Sequence, residues 1–484
     1  MKELDIATIT KRSIHGIIAL VSRTFVVRFI SAVTGLFLAA FLSPSDFGIF
    51  FVVSAVIPFL SYFSDIGLAA SLIQKKEPIT DSDLKTTFTI QQALVITIVA
   101  VAFLLSDKIS VFYKLDGEGI YLFQAIVIAF FLSSLKTIPS IRLERELRFQ
   151  KLIIPEIVET LFFNVTVLIF AIKGFGITSF TIAVLARGVS GLIAIYLIAP
   201  WRIGIGFSKN SAKRLLSFGI PFQLNSLLAL IKDDLLVVYV GKVLPLAEVG
   251  YIGFAQKVAF TPLRLIMDNV IRITFPSFSR LQNEKEVLTV GVEKALFAVS
   301  FFIFPSFVGL IFLSPYLLEV VPHYQKWEPA LFSLSFFATN ALLSSISTPL
   351  TNALNAIGRI KITLYFMIFW TVLTWVVTPI AILAIGFNGV ALSSAIIACS
   401  VVLVVWIAKQ YIKFRVLRMI QYPLIASLVM GVFLYFMTPF VIRDFLTFFM
   451  IILFGAIVYI GVMFLVARNQ ILSELSLIRR YFIH

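Results

Sequence analysis

SIHGIIALVSRTFVVRFISAVTGLFLAAFL, residues 13–42, follows Lys11 and Arg12 and carries only two full charges, Arg23 and Arg28. A hydrocarbon core about 30 Å thick is crossed by roughly 20 apolar residues in a helix, so this run is long enough to span a bilayer. A secretory signal has an apolar core of about 7 to 15 residues ending at a small-residue cleavage site. The run is longer and lacks such a site, so it is expected to stay as a first transmembrane helix. The rest of the chain follows suit. Of 484 residues, 60% are hydrophobic and 13% charged, and the mean hydropathy is +1.02. Soluble domains are about 25% charged. A soluble globular fold is excluded.

Apolar runs bounded by charges, Gly or Pro predict an all-α polytopic membrane protein of fourteen transmembrane helices. They lie near 14–42, 47–72, 86–106, 119–138, 152–172, 177–200, 215–240, 247–275, 295–313, 329–350, 362–385, 389–408, 422–441 and 446–467. Lys and Arg are retained on the cytoplasmic side of short loops, which sets the orientation. With a cytoplasmic N-terminus, 26 of the 40 Lys and Arg fall on inner segments. Six fall outside: Lys108, Lys114, Lys173, Lys242, Lys326 and Arg443. Both termini are thus expected in the cytoplasm. This asymmetry accounts for much of the net charge of +15, so no nucleic-acid partner is needed to explain it.

The single Cys399 excludes an internal disulfide, and His15, His323 and His484 are too scattered for a shared metal site. No catalytic or cofactor site is predicted. No polar segment between crossings exceeds about twenty residues, which leaves no room for a nucleotide-binding domain. A phosphate-cradling G-x-x-x-x-G-K-[ST] loop is also missing, the nearest fragment being Gly241-Lys242.

The chain echoes itself. LSPSDFGIF at Leu42–Phe50 and LPLAEVGYI at Leu244–Ile252 each leave a helix, turn through Pro, and enter the next helix through an acid and a Gly two residues on. Asp46 matches Glu248 and Gly48 matches Gly250. PSIRLERELRFQK from Pro139 answers PLTNALNAIGRIK from Pro349, and the turn GFGI at Gly174 answers GFNGV, whose first Gly is Gly386. The expected organisation is therefore a six-helix bundle over 1–205, a second over 206–410, and two appended helices with a tail over 411–484, the two repeat bundles surrounding a central cavity.

FLSPSDFGIF, FSDIGLAASLIQ at Phe63–Gln74 and RLERELRFQKL at Arg142–Leu152 together resemble the Wzx-type oligosaccharide flippases of the MOP exporter superfamily, a likeness that covers the whole chain. The resemblance implies a non-enzymatic carrier in the bacterial inner membrane. It would turn undecaprenyl-diphosphate-linked oligosaccharides to the outer leaflet for capsule, O-antigen or exopolysaccharide synthesis, beside a polymerase and chain-length machinery. It further implies a lipid-facing opening between the first and eighth crossings. The alternative on this architecture is a cation-coupled multidrug or metabolite exporter. Such an exporter favours an acidic cavity, whereas eight intramembrane bases here outnumber six acids.

Ionisable groups at bilayer depth are expensive and usually face a bundle interior or aqueous cavity. In the eighth crossing Lys257, Thr261, Arg264, Asp268 and Arg272 recur at spacings of 4, 3, 4 and 4, which places them on one helical face. Asp268 could bridge Arg264 and Arg272 in a purely structural stripe. Two Arg against one Asp leave positive charge over, which favours a cavity. In the first crossing Arg28 lies near mid-membrane, while Arg23 is closer to the inner interface and could snorkel to it. A guanidinium fork suits a diphosphate, so Arg28 and Arg264 are the leading substrate-binding pair, with Lys257, Arg272, Arg23 and Lys232 as further candidates. Asp233, Asp234, Asp268 and Asp65 are the candidates for a coupling proton or sodium ion, an uncoupled mechanism being the alternative. Of Asp233 and Asp234, only one can pair with Lys232, since adjacent side chains point about 100° apart. Gln91, Gln92, Asn225 and Asn352 could meet sugar hydroxyls or simply tie helices together.

Overall fold

The computed structural model describes residues 6–75, 77–146, 148–224, 227 and 230–482, with side chains described within Thr24–Arg468. The Arg23 side chain and Asn225 lie outside the described residues. Every regular element described is helical. The first crossing is α1 (Ile6–Phe41), and the second is divided into α2 (Pro44–Ser54), α3 (Val56–Asp65) and α4 (Leu68–Gln74). Then come α5 (Asp81–Leu104), α6 (Ser106–Tyr113), α7 (Gly117–Ser134), α8 (Thr137–Arg145), α9 (Phe149–Ile172) and α10 (Thr178–Ile198). After α11 (Lys209–Leu224), a wide π turn at Leu230–Asp234 leads into α12 (Leu235–Val243). The remainder is α13 (Leu246–Arg280), α14 (Lys285–Val320), α15 (Ala330–Ala356), α16 (Ile360–Ile385), α17 (Asn388–Ala398), α18 (Val401–Lys409), α19 (Val416–Val441) and α20 (Phe445–Phe482).

Among the described residues, twelve helical stretches are long and apolar enough to cross a membrane. They fall on the first six and last six expected crossings. The other two stand apart for different reasons. The seventh is described in part, as α11, the π turn and α12, with Lys232, Asp233 and Asp234 together in the turn. The eighth, α13, is 35 residues long, about 50 Å at 1.5 Å per residue, so charge and not length sets it apart. The last crossing ends where expected: α20 loses helical geometry at Ala467 (φ −123°, ψ 25°). Large apolar side chains lie bare, Leu104, Leu197, Leu383 and Leu465 being 79–88% exposed. Apolar surface on that scale is stable only against lipid, so the chain is a multi-pass membrane protein.

The repeated turn has a local cause. Ser43 Oγ accepts from the Asp46 amide (3.1 Å) while Asp46 Oδ2 accepts from the Ser43 amide (2.9 Å), and Pro44 sits at the first helical position. This capping box satisfies amides that a helix start leaves open. Farther on, Ile66 (φ 46°) and Gly67 (φ 73°) turn the chain between α3 and α4 through the left-handed region.

The chain packs as two compact units, Met1–Gly250 and Tyr251–His484. In the first, α9 packs along α1 and α10, and α10 along α7. Gln91 donates to Thr137 (3.0 Å) and Gln92 to Ser134 (3.0 Å), so both amides tie α5 to its neighbours. Gly48 and Gly250, the matched glycines, meet directly. A Cβ on Gly48 would lie 1.7 Å from the Leu246 carbonyl oxygen, and one on Gly250 would lie 1.8 Å from that of Pro44. Only glycine allows backbones this close. In the second unit, α14 packs against α15 and α19, and α19 against α20, around a core that includes Leu296, Leu350, Leu434 and Met463.

Candidate functional site

The charge spacing of α13 becomes a geometric fact in the second unit. Leu263 and Met267 are buried against Val299, Ile303 and Ala341. Lys257, Arg264, Asp268 and Arg272 follow the opposite face, with Lys257, Arg264 and Arg272 exposed and Asp268 half-buried. The Thr261 hydroxyl is turned back to the Lys257 carbonyl at 2.6 Å, as a hydroxyl in an apolar helix commonly is. Arg264 has no ion-pair partner among the described residues. One helix therefore presents an apolar seam to its own unit and a cationic stripe away from it.

The first unit holds the other candidates. Arg28 is half-buried on α1. Lys232 pairs with Asp233 at 2.6 Å within the π turn. Asp234 is half-buried with no ion-pair partner among the described residues, as expected of two neighbouring acids that share one base. Asp65 ends α3, where its Oδ1 accepts from the Ala69 amide at 3.1 Å and caps the start of α4. Asn352, in the second unit, donates to Thr274 at 3.0 Å. Its amide, like those of Gln91 and Gln92, is engaged in helix contacts.

Sequence spacing missed two charge clusters because their members are far apart in the chain. Asp83 is fully buried and pairs with Lys75 (2.6 Å) and Arg214 (2.7 Å) while serving as the capping-box acid for Thr80. Arg145 donates to the Leu72 and Glu77 carbonyls (2.7 and 2.6 Å), fastening the end of α4 and the turn before α5. The second cluster lies within the helices. Glu159 on α9 bonds Lys136 and lies 3.6 Å from Arg187 Nε on α10. Gly191 makes room for it, since a Cβ there would be 2.1 Å from Glu159 Oε1.

The bundle of long apolar helices has the fold seen in transporters of the MOP superfamily. It superposes on the lipid II flippase MurJ in its inward closed conformation with a TM-score of 0.77, at 18% identity, over 93% of this chain and 99% of that one. For the inward-facing conformation of a multidrug-resistance MATE family transporter the TM-score is 0.62, at 13% identity, over 79% and 95%. Residues 37–332 match the polysaccharide biosynthesis protein family, and the chain belongs to that family. It is 27% identical over 338 residues to the lipopolysaccharide biosynthesis protein WzxC of Escherichia coli (strain K12), covering 69% of this chain and 68% of that protein. The resemblance first seen in SPSDFG and RLERELRFQK is thus borne out.

Proposed function

We propose that this protein flips a polyprenyl-diphosphate-linked oligosaccharide from the inner to the outer leaflet of the bacterial cytoplasmic membrane. It would cross fourteen times with both termini in the cytoplasm, α11 to α12 and α13 being the two charged crossings and the repeated bundles surrounding a central cavity. The observation that carries this reading is the cationic stripe of α13 standing opposite its buried apolar seam. A neutral drug has no use for such a stripe, and a diphosphate does. Lys257, Arg264 and Arg272 would attract the diphosphate, with Arg28 as the partner of Arg264 and Arg23 and Lys232 as further contacts. The names of its likenesses agree in chemistry: one acts in lipopolysaccharide biosynthesis and another flips lipid II. An outward-moving anion also gains about 2.3 kcal/mol per charge per 100 mV of inside-negative potential, so tight ion coupling is not obligatory. If coupling operates, Asp234 is the candidate with the least neutralised surroundings, ahead of Asp233, Asp268 and Asp65. Polymerase and chain-length proteins would act on the product.

The test is complementation of a flippase-deficient strain supplying its own lipid-linked unit. Arg28→Lys and Arg264→Lys keep charge and lose the bidentate fork, so export should fall severalfold at normal membrane levels. The corresponding Ala variants should lose more. Full export by both Ala variants would place the diphosphate elsewhere.

A further inference from the structure

Arg187 is the tenth residue of the 21-residue α10, so its Cα sits about 15 Å from either end of the helix. A charge at that depth must face protein or water. The exposed apolar strip of α10 is Val189, Ile193 and Leu197. Arg187 lies about 160°, 120° and 80° around the helix from Val189, Ile193 and Leu197, so it points away from the centre of that strip. Its side chain is nonetheless 56% exposed, while that of its partner Glu159 is 11% exposed. The exposed part of Arg187 is therefore expected to face water and not lipid.

Glu159 is shared unequally. Lys136 holds it directly, and Arg187 approaches only through Nε at 3.6 Å, beyond hydrogen-bond reach. The two terminal guanidinium nitrogens have no partner among the described residues. Two bases against one acid leave the cluster with net positive charge. The missing Cβ of Gly191 lets Glu159 sit beside α10 and steady the guanidinium from behind. An arginine fork with a carboxylate near its Nε edge, open at its outer edge and partly exposed, is suited to take an oxyanion in two parallel hydrogen bonds. The same unit carries Arg28 on α1, which packs along α9.

We propose that Arg187, with Glu159 and Lys136 as positioning residues, forms a second oxyanion site that takes a phosphoryl or carboxylate group of the transported headgroup. The identity of the cargo rests on the flippase reading, whereas the anion site does not.

The test uses full-length protein in detergent, in an Arg28→Ala/Arg264→Ala background, so that failure of the diphosphate reading cannot mask it. Thermal stabilisation is titrated with sodium pyrophosphate, glucuronate and neutral glucose. An oxyanion should stabilise and glucose should not. Adding Arg187→Ala should raise the apparent dissociation constant at least tenfold. Arg187→Lys, which keeps the charge beside Glu159 and so preserves the fold, should raise it severalfold. A response to pyrophosphate alone assigns a phosphoryl group, and one to glucuronate alone assigns a glycan carboxylate. No response to either anion, or a full response retained in both Arg187 variants, overturns the proposal.

Discussion

Asp83→Ala should be among the most damaging single substitutions on the α4–α5 side of the first unit. The carboxylate is fully buried, and Lys75, 6% exposed at its side chain, would keep only the Pro78 carbonyl at 3.1 Å. Removing one partner of a buried ion pair costs about 3–5 kcal/mol, because the other is left uncompensated. Losing the capping acid beside Thr80 adds to this by roughly 1 kcal/mol. Arg214 contributes little by comparison: its side chain is 53% exposed and can hydrate, so Arg214→Ala should cost about 1 kcal/mol or less. Lys75→Met removes the stranded ammonium, so the double variant Asp83→Ala/Lys75→Met should be more stable than Asp83→Ala alone. Chaotrope unfolding in mixed micelles, followed by circular dichroism, gives the ordering. The reasoning fails if Arg214→Ala costs as much as Asp83→Ala, or if the second substitution makes matters worse.

Gly250→Ala should lower the melting temperature of the purified protein, because its Cβ meets backbone that must retreat by more than 1 Å, an overpacking cost of about 1–3 kcal/mol. Gly309→Ala, where a Cβ meets nothing within 4 Å, is the matched control and should be neutral or slightly stabilising. Glu144, in α8 between the fourth and fifth crossings, has its carboxyl pushed up by burial and by the nearby Glu156. A raised folded-state value means that stability is lost as pH climbs through it. Glu144→Gln should therefore be more stable than the parent at pH 7, and the gap should close below the ordinary glutamate value of 4.5. Melting curves of the two proteins across pH decide this, and a gap unchanged at low pH would contradict it.

Periodicity reads what repeats along one helix. It located the twelve apolar stretches, the end of the last crossing at Ala467, and the one-sided charges of α13, because each is fixed by residues within a few turns of one another. It did not foresee the π turn of the seventh crossing, where three consecutive charges, Lys232 to Asp234, stand together. It offered Asp65 as an ion-coupling candidate without foreseeing the bond its carboxylate accepts from the next helix start. Clusters assembled across the chain were out of reach: Glu159 meets partners 23 and 28 positions away, and Asp83 meets one 131 positions away. Gly191 gave the only local signal of the first of these, and a glycine inside an apolar helix has many other reasons to be there.

The joint between Gly48 and Gly250 contains no side chain. Each glycine turns a Cα hydrogen toward the other segment's carbonyl, the geometry of paired weak C–H···O contacts. Such a joint has nothing to titrate and no ions to screen. Acid or brine that would loosen the Asp83 cluster should leave it as it was. Its vulnerability is volume alone, so the addition of one methyl group should do what no change of medium can.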